Sequence, residues 1–166
     1  MPGDKIKTAV FPGSFDPFTI GHESVVRRAL DMFDKVIVGI GFNTTKTRFI
    51  SIEKSTEGIR KVFEDTGGRV EVKVFKGLTV DFCKTEKSRY ILRGLRTAAD
   101  FEYERAIAQT NKAMYPEIET VFLLTLPQHT FINSSIIREI TNHFCTIKNN
   151  LNCCIHRTRF PTNVLP

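Results

Sequence analysis

The sequence predicts an α/β protein built on a doubly wound, five-stranded parallel sheet with helices on both faces. Five short apolar runs alternate along the chain with segments whose apolar residues recur at helical spacing, which is the pattern of successive βαβ units. The run over 35–42 is almost continuously apolar, as expected of a strand that is buried on both faces. Connections between parallel strands are right-handed, and we expect the strand order 3-2-1-4-5.

Each predicted element has its own local signals. Thr19 and Ser51 are good N-caps for the first two helices, and Ser134-Ser135 is expected to cap the last one. The glycine pair at 67–68 ends the second helix, and Pro116 closes the long fourth helix. The predicted strands begin at Thr8 and then cover 35–42, 69–75, 90–96 and 119–126, whereas the predicted helices cover 22–33, 52 to the glycine pair, 79–87, 99–114 and 136–143.

Length and charge restrict the class of protein. A chain of 166 residues is most simply one domain, which we expect to cover 1–143, followed by an irregular extension over 144–166. Lys and Arg number 24 against 18 for Asp and Glu, a formal net charge of +6. The extension contributes three of these cations and no acid, and the rest of the chain has no long basic stripe. We therefore expect small anionic substrates and no nucleic acid.

The sequence gives no sign of a membrane segment or a metal site. No apolar run approaches the ~20 residues that span a bilayer, and no secretory apolar region follows the N-terminal lysines. We expect no membrane partner and a cytoplasmic location. Cys83 stands alone in a helical segment and is expected to be a small buried apolar residue. The later cysteines, Cys145, Cys153 and Cys154, lack the C-x-x-C spacing of a zinc site, so no metal site is predicted.

A candidate phosphate site follows the first strand. Thr19 is placed to cap the next helix, which puts Gly21 and His22 in its first turn. Backbone N–H groups there have no helical partner and favour a phosphate, and Gly21 has no side chain to hold the phosphate away. His22 can give a phosphoryl oxygen a hydrogen bond or a full charge. The same strand–loop–helix pattern opens any α/β domain, in which His22 would be a surface histidine.

The predicted topology brings two groups of residues together. The strand order reverses between strands 1 and 4, and ligands of such sheets bind outside the carboxyl ends of the strands at that point. The loop after strand 1 carries Ser14 and His22, and the end of strand 4 carries Arg93 and Arg96. We therefore expect these four residues at one crevice.

Four blocks of sequence, over 12–22, 91–96, 100–104 and 132–138, stand in the order and at the spacing of one family. Together they resemble the phosphopantetheine adenylyltransferases of the nucleotidyltransferase superfamily, over about residues 7–141. The resemblance implies a Rossmann-like fold and transfer of the adenylyl group of ATP to 4′-phosphopantetheine, with dephospho-coenzyme A and pyrophosphate as products. It also implies Mg²⁺ bound with ATP and a homo-oligomer, typically a hexamer.

The same resemblance implies the site residues. The catalytic residues would be His22, which stabilises the transition state at the α-phosphate, with Lys46 and Arg96. The acceptor would be bound by Ser14, Lys46, Thr79 and Arg93. The ATP-binding residues would be Ser14, Phe15, His22, Gly94, Leu95, Arg96, Glu104, His129, Thr130, Phe131, Ile132, Asn133, Ser134 and Ser135.

Several of these residues also have plain structural interpretations. Lys46 could be a solvated loop lysine. Glu104 could pair only with Arg105 or with a neighbouring helix. Arg93 needs a partner or water, because it is a charge that ends an apolar strand. Arg138, in the last block, is expected at the surface or at an interface.

Three positions depart from the family pattern, and two other functions stay open. Ser14 stands where threonine is usual, Thr79 where the residue is often more apolar, and Asn133 where serine is common. One alternative is another small nucleotidyltransferase, whose acceptor is nicotinamide mononucleotide or glycerol phosphate. The other is a non-catalytic nucleotide- or RNA-binding module on the same fold, which the basic extension favours.

Overall fold

A computed structural model describes residues 6–42 and 47–145. Its sheet has five parallel strands in the order β3-β2-β1-β4-β5, so the predicted fold class and strand order are confirmed. The strands are β1 (Thr8–Gly13), β2 (Lys35–Gly41), β3 (Val70–Phe75), β4 (Tyr90–Leu95) and β5 (Glu119–Leu124). The helices are α1 (Ile20–Ala29), α2 (Ile52–Val62), α3 (Thr79–Thr85), α4 (Ala98–Met114) and α5 (Ser134–Cys145), with short 3₁₀ turns at Glu64–Thr66 and Pro127–His129.

Helices cover both faces of the sheet because successive side chains of a strand point to opposite sides. Ala9 and Phe11 of β1 belong to a core cluster with residues of α1 and α2. Val10, between them, belongs to a second cluster with Val80 and Cys83 of α3. Cys83 is fully buried, which confirms its expected place among the apolar residues.

The space between β2 and α3 is filled by two aromatic rings. Phe75 and Phe82 stack with their ring centroids 4.4 Å apart and their planes 6° from parallel. Gly39 makes this possible, since a Cβ atom at that position would lie 2.7 Å from a ring carbon of Phe82.

The bounds of several elements differ from the prediction; α1, for example, covers Ile20–Ala29 rather than 22–33. β5 ends at Leu124 rather than at residue 126, because the chain turns into a 3₁₀ helix that begins at Pro127, which has no N–H to donate to a sheet. The cap of α5 is Asn133 rather than the serine pair, since its Oδ1 accepts from the N–H of Ile136 at 2.8 Å. The two serines form the first turn of the helix instead.

Several expectations fall on residues outside the described part of the chain. These are Lys46, two of the later cysteines and nearly all of the predicted extension over 144–166; α5 continues to Cys145. The division into 1–143 and 144–166 stays a prediction. Of the helices in the described ranges, none combines the length and apolar character needed to cross a bilayer.

Candidate active site

A cleft of about 550 Å³ opens at the carboxyl ends of β1 and β4, where the strand order reverses. Ser14, His22, Arg93 and Arg96 all line it, so the topology does bring the two predicted groups together. The other lining residues come from β1 and the loop after it, the first turn of α1, β4, α4, the segment between β5 and α5, and the start of α5. They include Phe15, Gly21, Gly94, Asp100, Glu104, Thr125, Ile132, Asn133, Ser134 and Ser135.

A smaller cleft of about 280 Å³ adjoins the first. The two clefts share Pro12, Gly13, Arg93 and Glu104, so Arg93 stands at the boundary between them. Thr79 lines the smaller cleft. The remaining lining residues are largely apolar and include Phe75, Ile91, Ile107 and Ala108.

His22 is held by the residue that caps its helix. The backbone N–H of Thr19 donates to His22 Nδ1 at 3.0 Å, and Thr19 Oγ1 lies 3.0 Å from the same nitrogen. Since a backbone N–H can only donate, Nδ1 is an acceptor, and the proton of the neutral ring is on Nε2. The ring also packs edge-on against Phe15, with centroids 5.2 Å apart. The imidazole therefore offers one fixed N–H donor.

The environment keeps this imidazole neutral. Burial is the largest cause, followed by the positive charges of Arg96 and Arg93, and together they lower the pKa of His22 from 6.5 to about 4. Of the two options left open by the sequence, a hydrogen bond or a full charge, the structure favours the hydrogen bond. Positive charge comes instead from the two arginines, which lie close enough to His22 to influence its proton.

Arg93 is fixed on two sides. Its Nε donates to Glu104 Oε2 at 2.7 Å, its Nη2 donates to Glu104 Oε1, and its Nη1 donates to the carbonyl oxygen of Pro12 at 2.6 Å. Glu104 is a buried residue of α4. Its partner is therefore Arg93 and not Arg105, which pairs with Glu102 on the exposed side of the helix. Two of the five N–H groups of Arg93 remain for an anion.

Within residues 6–42 and 47–145, the side chain of Arg96 is held by a single residue. Its Nε donates to Asp100 Oδ2 at 3.0 Å, and its Nη2 donates to Asp100 Oδ1 at 3.2 Å. The pair joins the end of β4 to the first turn of α4. The side chain of Arg96 keeps 36% of its surface exposed.

The loop after β1 is clamped by residues that sequence reasoning did not assign to the site. The carboxylate of Asp16 is buried and accepts from the N–H groups of Phe49 and Ile50, at 2.9 and 2.8 Å. Arg48 donates to the carbonyl oxygen of Ser14 at 2.9 Å. These contacts span more than 30 positions in the chain, so no local pattern signals them.

The start of α5 closes the same loop from the other side. Ser134 Oγ donates to the carbonyl oxygen of Pro17 at 2.9 Å, and Arg138 donates to the carbonyl oxygen of Asp16. Arg138, expected at the surface or at an interface, is partly buried and also donates to Ser135 Oγ at 2.9 Å. The contact of Arg138 with Asp16 and the contact of Ser134 with Pro17 therefore join the loop to the start of α5.

Of the remaining predicted residues, some line the cleft and others do not. Gly94 lines the cleft, whereas the side chain of Leu95 is buried in the core, so only its backbone can face a ligand. The first part of the predicted loop, His129, Thr130 and Phe131, is not among the residues that line the cleft. His129 lies near Gly21, since a Cβ atom on that glycine would be 3.8 Å from His129 Cβ. Phe131 is exposed.

Comparison with known proteins gives the class first. Residues 10–140 match the family model described as cytidylyltransferase-like. A bifunctional NMN adenylyltransferase/ADP ribose pyrophosphatase from Francisella tularensis has the same fold, with a TM-score of 0.63 and 17% identity over 84% of this chain and 43% of that one. The class is therefore that of the nucleotidyltransferases.

Curated relatives narrow the class to a family. A phosphopantetheine adenylyltransferase from Cytophaga hutchinsonii is 52% identical over 81% of this chain and 89% of its own length. One from Leptospira biflexa is 45% identical over 85% of this chain and 88% of its own length. The chain belongs to the phosphopantetheine adenylyltransferase family. The resemblance seen in the four sequence blocks is confirmed, and the two alternative functions are not favoured.

Proposed function

We propose that this protein transfers the adenylyl group of ATP to the phosphate of 4′-phosphopantetheine, giving dephospho-coenzyme A and pyrophosphate. The observation that carries the proposal is the pair of adjoining clefts with Arg93 at their boundary. The larger cleft has polar and cationic walls and suits a nucleotide with its polyphosphate. The smaller, largely apolar cleft suits the pantetheine arm, whose phosphate would then lie at Arg93.

The reaction needs positioning and positive charge more than it needs a base. The acceptor phosphate is already an oxyanion at neutral pH, so one of its oxygens can attack the α-phosphorus of ATP directly. A new P–O bond forms, and the bond to the β-phosphate oxygen breaks and releases pyrophosphate. Catalysis then consists mainly of bringing two anions together and stabilising the charge that develops on the phosphoryl oxygens.

The residues suit these tasks. His22 would donate its Nε2–H to an oxygen of the α-phosphate. A positive charge on the imidazole is not needed, because a neutral donor of fixed geometry is sufficient for that hydrogen bond. Arg93 would hold the acceptor phosphate through its two remaining N–H groups. Arg96 and the first-turn N–H groups of α1 and α5 would meet the rest of the polyphosphate.

The other site residues expected from the family keep the status of proposals. On the acceptor side these are Ser14, Thr79 and Lys46, the last of which lies outside the described residues. On the nucleotide side they are Phe15, Gly94, Leu95, Glu104, His129, Thr130, Phe131, Ile132, Asn133, Ser134 and Ser135. Glu104, although expected on the nucleotide side, would act indirectly by ordering Arg93, since its carboxylate is already bound to that guanidinium.

Mg²⁺ would enter as part of the nucleotide substrate. The carboxylates of Asp100 and Glu104, which line the cleft, are bound to arginines, so phosphate oxygens and water are the natural ligands for the ion. The ion would neutralise charge on the polyphosphate. A cytoplasmic location stays a prediction from the sequence.

A homo-oligomer, a hexamer by family resemblance, is also proposed. Large apolar side chains are exposed on α4, on β5 and on α5, as would suit contact with other copies. They include Phe101, Tyr103, Leu124, Ile136 and Ile140. Light scattering on the purified chain would test this: a monomer at micromolar concentration would contradict it.

A pyrophosphate-release assay with a panel of acceptors tests the function. ATP would be supplied with 4′-phosphopantetheine, with pantetheine lacking the phosphate, with nicotinamide mononucleotide or with glycerol 3-phosphate. We expect release with 4′-phosphopantetheine alone of the four. Equal turnover with nicotinamide mononucleotide would contradict the proposal, as would RNA binding that falls steeply with salt in a protein without turnover.

A further inference from the structure

An acidic side chain lines the cleft assigned to the polyphosphate. Asp100 keeps 27% of its side-chain surface exposed and borders the same cavity as His22 and Arg96. It belongs to one of the four sequence blocks, yet neither the family pattern nor the proposed reaction gives it a task. A carboxylate beside a polyphosphate is repelled by it, so its presence needs a physical explanation.

The contacts of Asp100 point to one partner. In the described part of the chain its carboxylate accepts from Arg96 three times, from the backbone N at 3.1 Å, from Nε at 3.0 Å and from Nη2 at 3.2 Å. This is the two-point geometry by which a carboxylate fixes a guanidinium plane. The Nη1 group of Arg96 takes no part in it.

Asp100 is itself well anchored. Its backbone N–H donates to Thr97 Oγ1 at 3.2 Å, which places it in the capped first turn of α4, where the helix dipole favours a negative charge. Burial alone would raise the pKa of Asp100, but the hydrogen bonds from Arg96 outweigh it and the pKa lies below its usual value. The carboxylate is therefore ionised and fixed at neutral pH.

Arg96 has less support than Arg93. Glu104 and the Pro12 carbonyl hold Arg93 on two sides, whereas the guanidinium of Arg96 is held within the described residues by Asp100 alone. A long, partly exposed side chain without that partner would lose conformational freedom each time a ligand bound.

We propose that Asp100 is a positioning residue for the nucleotide: it holds Arg96 by the Nε–Nη2 edge and leaves Nη1 for oxygens of the polyphosphate. The proposal rests on the proposed function, because it assigns the polyphosphate to this cleft. Asp100 does not touch the reacting atoms. Its benefit is the order that it gives to Arg96, which exceeds the repulsion between its own charge and the phosphates.

The Asp100→Asn variant tests the proposal, because it removes the charge but keeps the backbone N–H that Thr97 caps. We expect the KM for ATP to rise about five- to tenfold, while the KM for 4′-phosphopantetheine changes less than twofold. Asp100→Glu should recover part of the loss. The matched control is Glu102→Gln, which breaks an arginine pair on the exposed face of the same helix and should leave both constants unchanged.

A double-mutant cycle shows whether Asp100 acts through Arg96. In an Arg96→Ala background, Asp100→Asn should weaken ATP binding no further. An undiminished effect in that background would overturn the proposal. So would a lower KM for ATP in Asp100→Asn, which would mean that repulsion outweighs positioning, or an equal rise in both KM values, which would indicate a purely structural effect.

Calorimetric titration with ATP in the absence of any acceptor separates this proposal from the proposed function. We expect the Kd for ATP to rise in Asp100→Asn by the same factor as the KM. If the wild type bound ATP but did not transfer its adenylyl group to 4′-phosphopantetheine, the proposed function would be wrong. The Kd of the variant for ATP would still show whether Asp100 positions Arg96 for the nucleotide.

Discussion

Acidification is expected to reveal a histidine that resists protonation. The pKa of His22 is lowered from 6.5 to about 4, so between those pH values an unfolded chain binds a proton at this residue and the native protein does not. The free energy of unfolding therefore falls as the pH drops through 6.5 and levels off near 4. At about 1.4 kcal/mol per pH unit, the loss from this one residue is as much as ~3 kcal/mol, and none of it appears above pH 7.

Two measurements test this expectation. Urea denaturation of the wild type and of His22→Gln at pH 7 and pH 4.5 isolates the contribution of His22 to the free energy of unfolding, because the other titrating groups are common to both proteins. The wild type should lose about 2–3 kcal/mol more than the variant between the two pH values. NMR should show one imidazole, absent from the variant, that keeps its Nε2–H form down to pH 5. A midpoint near 6.5 for that signal would refute the neutral-donor account.

Three further changes have defined outcomes. His22→Ala should lower kcat by about 10²–10³-fold, whereas His22→Gln, which keeps an N–H donor, should lose less in the same steady-state assay. Glu104→Gln should lower kcat/KM for the acceptor at least ~10-fold, since Arg93 loses its two-point partner and the pair is partly buried. Gly39→Ala should destabilise the fold by about 1–3 kcal/mol in urea titrations, because its Cβ would meet the ring of Phe82 at 2.7 Å.

Each of these three predictions has a control and an outcome that would contradict it. Circular dichroism should show the same helix content in both His22 variants, and an equal loss of kcat in the two would contradict the donor assignment. Unchanged acceptor kinetics in Glu104→Gln would show that Arg93 is ordered without it. Gly41→Ala is the matched control for Gly39, since among the described residues its Cβ would come no closer than 3.6 Å, to a ring carbon of Phe75. Equal destabilisation of the two would contradict the packing argument.

The fold could be predicted from the sequence wherever the signal is local. The apolar run of β2 is visible directly, because a central parallel strand is buried on both faces. The cap of α5 cannot be predicted from the sequence, because Asn133, Ser134 and Ser135 are all good N-caps and only the hydrogen bond to Ile136 distinguishes them. The predicted end of β5 is two residues late, since Leu126 continues the apolar pattern and only the turn at Pro127 ends the strand.

Part of the cleft lining could be predicted from the sequence, but the hydrogen-bond partners of its side chains could not. Strand order alone brought His22 and Arg93 to one crevice, because the carboxyl ends of β1 and β4 are neighbours. The ion pair of Arg93 with Glu104 depends on how α4 packs over β4, and this packing cannot be predicted from the spacing of residues along the chain. The hold of Thr19 on His22 did have a local signal, since a threonine N-cap followed three residues later by an acceptor is a capping-box pattern in which the imidazole replaces the usual carboxylate.

The fate of the α-phosphorus tests the central claim most directly. ATP labelled at that atom would be incubated with 4′-phosphopantetheine and the protein, and the products would be separated and counted. Adenylyl transfer across the two clefts predicts label in dephospho-coenzyme A, in step with unlabelled pyrophosphate, and no transfer when the acceptor lacks its phosphate. Label that stays in ATP or appears in free AMP while 4′-phosphopantetheine is unchanged would contradict it.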